Sequence, residues 1–99
     1  MNDNDKLFLI NLCRMIAIAK KNCNGNDTVL EMLLSAFDED VLRKAIVIYY
    51  MGQGTYDSFD EGMQDVTERS FCFTRDDCVR KIVQSAVVIE YFKKGSAKL

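Results

Sequence analysis

The side chains best suited to chemistry gather around one glycine turn, where Tyr49, Tyr50, Gln53, Tyr56, Asp57 and Phe59 bracket Gly52-Gln53-Gly54. Phenols and a carboxylate at that spacing suit a small-ligand site, with Tyr50, Tyr56 and Asp57 as its polar groups. The aromatic set Tyr49, Tyr50, Tyr56 and Phe59, together with Gln53, equally suits a patch that a protein partner covers. The same rings also suit core packing, because a ring near a loop is a large apolar surface that water disfavours. Histidine is absent from the chain. That removes Ser-His-Asp and Cys-His nucleophile systems, histidine metal sites and imidazole proton transfer.

Other motifs fall short of a site. Cys72 and Cys78 are separated by five residues and lie far from Cys13 and Cys23, which lacks the close pairing of structural zinc sites. Counting a calcium loop from Asp57 puts Gly62 and Glu68 at the sixth and twelfth positions, but Phe59 then stands where an oxygen ligand is needed. Gly52-Gln53-Gly54 follows a helix, has no third glycine in register and no lysine-serine pair behind it, so it reads as a cap and turn rather than a phosphate cradle. The carboxylates Asp38, Glu39, Asp40 and Asp57, Asp60, Glu61 sit at helix starts, where the helix dipole accounts for them. No metal and no cofactor is expected.

The elements that hold these residues are helices. Proline is absent, and the glycines stand where helices need to stop. Asp3, Asn4 and Asp5 start a first helix that runs to about Lys21, with Leu7, Ile10, Cys13, Ile16 and Ala17 at helical spacing. After the turn formers Asn22 to Asp27, Thr28 and Glu31 have capping-box spacing for a second helix over Val29 to about Phe37. Asp38 starts a third that ends at Gly52 as its C-terminal cap. Its segment Ile46-Val47-Ile48-Tyr49-Tyr50 is also rich enough in β-branched and aromatic residues for a buried strand, but it continues a capped start without a turn signal and is read as helix. Ser58 and Glu61 cap a fourth helix over Phe59 to Ser70, and Thr74 with Asp77 caps a fifth that stops at Gly95. The expectation is an all-α single domain over residues 1–99, a compact bundle of about five helices, bundle-like or orthogonally packed, with the first, third and fifth helices as its core.

Composition bounds the partners. At 99 residues with 48% hydrophobic residues, the chain can bury one core and no second one. A formal net charge of −2 gives no long-range pull toward phosphate, so nucleic acid is an unlikely partner. Lys20-Lys21 and Lys93-Lys94 lie where helix C-termini favour positive charge. The acidic start is wrong for a targeting peptide, and Leu7 to Ala19 is too short and too interrupted to span a bilayer. A cytoplasmic protein with reduced thiols and no membrane association is expected.

From Asp38 onward the chain resembles a family of small bacterial proteins catalogued as domain of unknown function 3775. The matching stretches are Asp38-Glu39-Asp40 before an apolar helix, Ile48-Tyr49-Tyr50-Met51-Gly52-Gln53-Gly54, and Val88-Ile89-Glu90-Tyr91-Phe92-Lys93-Lys94-Gly95. Gln53 stands where the family pattern has arginine, and Lys93 and Lys94 where it has acids. The resemblance covers about half the chain and implies a helical fold. It implies no activity, because the family has none assigned.

Helices apolar on more than one face hide that surface, in so small a domain, only by meeting another chain. The function expected is therefore a noncatalytic protein-protein interaction module, self-associating as a homodimer, acting as a small regulator, adaptor or inhibitor of bacterial or phage origin. Its partner-binding residues are expected to be Tyr49, Tyr50, Gln53, Tyr56 and Phe59. The alternative is a ligand binder or a carboxylate/tyrosine enzyme at the Gly52–Phe59 turn. Third comes a nucleic-acid-binding regulator with a basic face drawn from Arg43, Lys44, Arg69, Arg75, Arg80 and Lys81.

Overall fold

Short polar side chains set where most of the helices begin. In the computed structural model, which describes all 99 residues, Asn2 accepts from the Asp5 amide to start α1 (Asp3–Lys21). Asp38 does the same for α3 (Glu39–Gln53) through Val41, and Ser58 for α4 (Phe59–Glu68) through Glu61. Thr74 and Asp77 form the full reciprocal capping box of α5 (Arg75–Gln84). Each interaction satisfies an amide that the first helical turn leaves without a partner. The Thr28 box does not form. Thr28 is already the first residue of α2 (Thr28–Ser35), and its amide donates to Asn26 instead.

The helices number six, not five. The fifth predicted helix is broken at Ser85, whose backbone is extended (ψ 123°), so that α6 (Val88–Ser96) is separate. The break has a tertiary cause: the Ser85 hydroxyl meets the Tyr49 hydroxyl at 2.8 Å and accepts from the Val87 amide. Lys20 at the end of α1 donates to the carbonyl of Val83, satisfying an acceptor at the end of α5. After α4, a single 3₁₀ turn over Ser70–Cys72 leads into the α5 cap.

Two glycines do not stop their helices. Gly52 lies inside α3, and the cap is Gly54 in the left-handed conformation (φ 98°) that suits a residue without Cβ. Gly95 likewise lies inside α6. Both are close-approach points between α3 and α6, the most extensively packed pair. A Cβ built on Gly52 would lie 1.9 Å from the Tyr91 carbonyl oxygen, and one built on Gly95 would lie 1.9 Å from the Ile48 carbonyl oxygen. Ile48 and Gly52 are four residues apart on one helix, Tyr91 and Gly95 four apart on the other. The backbones therefore touch reciprocally in an antiparallel crossing.

The core forms around α3, which buries Leu42, Ala45, Ile46, Val47, Ile48, Tyr49 and Met51. The stretch that could have been a strand is thus the central helix, and its apolar residues on every side meet neighbours within the same chain. α6 contributes Val88 and Phe92, and packs on both α3 and α1. α1 faces the core with Leu9, Leu12, Cys13 and Ile16. This rotates the predicted face: Leu7 is exposed, and Ile10 and Ala17 are half-buried. No helix is long and apolar enough to cross a membrane.

Candidate functional site

The aromatic cluster at the glycine turn is largely internal. Tyr49 (3% exposed) and Tyr56 (5%) are buried, Tyr50 and Phe59 are half-buried, and Gln53 alone among the five is exposed. Tyr49 stacks edge-on against Tyr50, Tyr91 and Phe92, and Tyr50 against Tyr56 and Phe73, with centroids 5.2–6.4 Å apart. These edge-to-face contacts hold the C-terminal half of α3 to α6 and to the loop after the 3₁₀ turn. A partner on this face would meet Gln53 and the half-buried Tyr50. It would not reach the rings of Tyr49 and Tyr56.

Tyr56 is also chemically committed. Its hydroxyl donates to Asp65 Oδ2 at 2.5 Å, and Arg69 grips the same carboxylate with Nε at 2.9 Å and Nη2 at 2.6 Å. Arg69 in turn lies over the Phe73 ring, 5.3 Å from its centroid. Burial, together with the hydrogen bond to ionised Asp65, pushes the Tyr56 phenol up to about 12. The bonds from Arg69 and Tyr56 hold the Asp65 carboxyl below its ordinary range. A phenol shifted upward is a poor base or nucleophile near neutral pH. The group therefore works as a clasp between the glycine turn and the end of α4. Asp57 is not drawn in: its amide donates to Glu61, and it does not line the 340 Å³ cleft that Tyr50 and Tyr56 share with Thr55, Arg69, Cys72 and Phe73.

A neighbouring recess of about 210 Å³ brings Cys72 and Cys78 together with Tyr50, Phe73 and Lys81. Both thiols are free, and burial raises Cys78 to about 11. Lys81 Nζ stands 5.8 Å from the Tyr50 centroid and 6.0 Å from that of Tyr49, within cation–π range. No three cysteine, aspartate or glutamate side chains converge as metal ligands. The basic residues proposed for a nucleic-acid face are mostly engaged: Arg43 with Glu39, Lys44 with Asp40, Arg69 with Asp65, Arg80 with Asp77, and Arg75 with the Ser35 carbonyl.

Two surface features escaped the sequence reading. One is the outer face of α1, where Phe8, Asn11, Met15 and Ile18 recur at spacings of three, four and three, with Leu7 beside them; the apolar four are 46–61% exposed. That is a second apolar stripe opposite the buried face, and its seam spacing was visible in the sequence. The other is a cleft of about 220 Å³ at which the beginnings of α1, α3 and α4 meet. It is lined by the apolar side chains of Met1, Phe8, Leu9, Val41 and Phe59 and by the charged residues Asp5, Lys44 and Asp60. Phe59 is the predicted site residue that lands there. Phe8 joins it from the far end of the sequence, and no local pattern couples the two.

Fold and surface together define an all-α, six-helix domain. Compared with protein-family models, curated proteins and solved structures, the chain matches none of them.

Proposed function

We propose that this domain is a noncatalytic protein-protein interaction module that self-associates through the outer face of α1. The observation that carries the reading is the stripe Leu7, Phe8, Met15 and Ile18, four large apolar side chains about half exposed on one helix face. Isolated exposed apolar residues are ordinary, but four on one face of a 19-residue helix, gathered around Asn11, form a stripe suited to packing a second partner. Supporting it from the other side, the chain has no histidine and the Tyr56 hydroxyl is tied up in the Asp65 clasp.

The magnitude points to weak, reversible association. Covering a fully exposed side chain of this size is worth about 1.5–3 kcal/mol, so four half-exposed ones give about 4 kcal/mol per copy and about 8 for two copies. Association costs about 4–15 kcal/mol, which leaves little net. At the favourable end a net gain of about 4 kcal/mol corresponds to a dissociation constant of about 1 mM, so the dimer is expected only at high protein concentration and should dissociate on dilution. Light scattering on a sizing column, at two loading concentrations with reductant, should give a mass that rises with concentration. The Met15→Glu/Ile18→Glu variant should stay at the single-chain mass. A wild-type protein that is monomeric at every concentration, or a variant that still dimerises, would sink the self-association reading.

A further inference from the structure

We infer that the groove between α1 and α6 is a docking site for an acidic amphipathic segment of a partner protein, which sets one apolar side chain in the groove and its carboxylates beside Arg14 and Lys93. This rests on the binding-module reading and deepens it by naming a partner's chemistry. It does not rest on self-association, because Leu7, Phe8, Met15 and Ile18 do not line the groove.

Charge selects the occupant. The groove is lined by the apolar side chains of Cys13, Ala17, Ile89 and Phe92, by Ser96, and by two charged residues, Arg14 and Lys93. Both are cations, and no acid lines the groove with them. Both are exposed, and neither joins an ion pair. Arg14 stands in the middle of α1, where no helix terminus calls for positive charge, and the positions three and four residues away are Ile10, Asn11, Ala17 and Ile18. Around Lys93 the one acid at such spacing is Glu90, which Lys94 holds at 2.8 Å. The cleft at the beginnings of α1, α3 and α4 differs, because its lining mixes Asp5 and Asp60 with Lys44. Two unpaired cations beside an apolar groove complement carboxylates that flank an apolar residue.

Size and shape select a protein segment over a free amphiphile. At about 210 Å³ the groove is smaller than the roughly 300–1,000 Å³ of sites that enclose a whole small ligand, and it is open rather than enclosed. Its α6 side runs from Ile89 to Ser96, roughly 10 Å at about 1.5 Å per residue. That length takes one anchoring side chain and the residues on either side of it. Apolar surface is left there to be covered: Ile89 is 40% exposed and Ala17 is half-buried, whereas Cys13 and Phe92 are already interior.

The test uses the unsubstituted protein, ¹⁵N-labelled, at about 50 μM, far below the millimolar range of the proposed dimer, so it reads the same whether or not copies associate at higher concentration. Three peptides of about 12 residues are titrated in: glutamates around a central Leu-Phe pair, lysines around the same pair, and glutamates around Ala-Ala. Decanoate serves as a free amphiphile. The glutamate/Leu-Phe peptide should bind at least about tenfold more tightly than either control peptide, with shifts centred on Arg14, Ala17, Ile89 and Lys93. Replacing Arg14→Gln and Lys93→Gln together, at two exposed positions, should weaken it about fivefold at low salt and hardly at all in molar salt. Equal binding of the glutamate and lysine peptides or of the Ala-Ala peptide overturns the proposal, as does unchanged affinity of the double variant at low salt. Shifts confined to other faces, no shifts at about 1 mM peptide, or tighter binding of decanoate at these residues overturn it too. Groove shifts on diluting the protein alone would assign the groove to a second copy and overturn it as well.

Discussion

Replacing Gly95 with alanine tests the helix crossing on which the fold depends, because two effects there have opposite signs. Alanine is the better helix former by about 0.8–1 kcal/mol, so intrinsic propensity predicts that Gly95→Ala stabilises α6. The geometry predicts the reverse. The new methyl carbon would lie 1.9 Å from the Ile48 carbonyl oxygen, whereas even close carbon–oxygen contacts between helices lie near 3.3 Å. The helices would have to separate by about 1.4 Å, and the obstacle is backbone, which has no rotamer to change. Overpacking where side chains can yield costs about 1–3 kcal/mol, so the upper end of that range or more applies here. After subtracting the propensity gain, Gly95→Ala should destabilise by about 2 kcal/mol or more, lowering Tm by about 8–16 °C. Gly52→Ala should behave alike, since it meets the Tyr91 carbonyl at the same distance. The double variant should cost less than the sum, because one separation of α3 from α6 accommodates both methyls. Urea unfolding followed by circular dichroism measures all three. A Gly95→Ala protein as stable as the parent, or strictly additive costs, would refute the reciprocal backbone contact.

The remaining predictions concern titration and thiols. Tyr56, raised from 10.0 to about 12, favours the folded state while it is protonated. That stability is complete below pH 10 and is lost as the pH climbs toward 12. Phenolate absorbance should show a late-ionising component that Tyr56→Phe removes, and no change on that substitution would discount the Asp65 clasp. Cys13 is buried and pushed up to about 12, and Cys78 to about 11, whereas Cys72 is exposed. A disulfide reagent at pH 8 should therefore label Cys72 rapidly, Cys23 more slowly, and Cys13 and Cys78 only on unfolding. Fast labelling of Cys13 in the native protein would contradict its core position.

Features decided within four residues were readable from the sequence, and features decided across the chain were not. The caps at Asp38, Ser58 and Thr74 and the span of α1 follow from neighbouring side chains and amides, so local chemistry sufficed. The break at Ser85 depends on the Tyr49 hydroxyl, 36 residues away. Without glycine or proline to mark it, the apolar pattern ran straight through. Gly52 and Gly95 were misread for the same reason: a local rule takes glycine as a stop, but here its missing side chain admits another backbone. The apolar excess of α3 suggested an outside partner, although the domain itself encloses that helix. The excess of α1 was real, on a face rotated from the predicted one. Of the predicted partner-binding residues, Phe59 and the exposed Gln53 lie where a partner could touch them, whereas Tyr49 and Tyr56 are spent on the interior.

The position of α6 also bears on how the chain reaches its folded state. α3 is finished by Gln53, but the surface that closes over it, with Val88, Phe92 and the Gly95 contact, is encoded some 35 residues later. At roughly 5–20 residues per second of synthesis, the helix that buries the most side chains waits seconds for its cover, a window in which a chaperone could hold it. The same division makes the domain a natural split protein. A fragment ending at Ala86 should remain loosely packed until a synthetic peptide of residues 87–99 is added, and the two should then assemble into one helical unit.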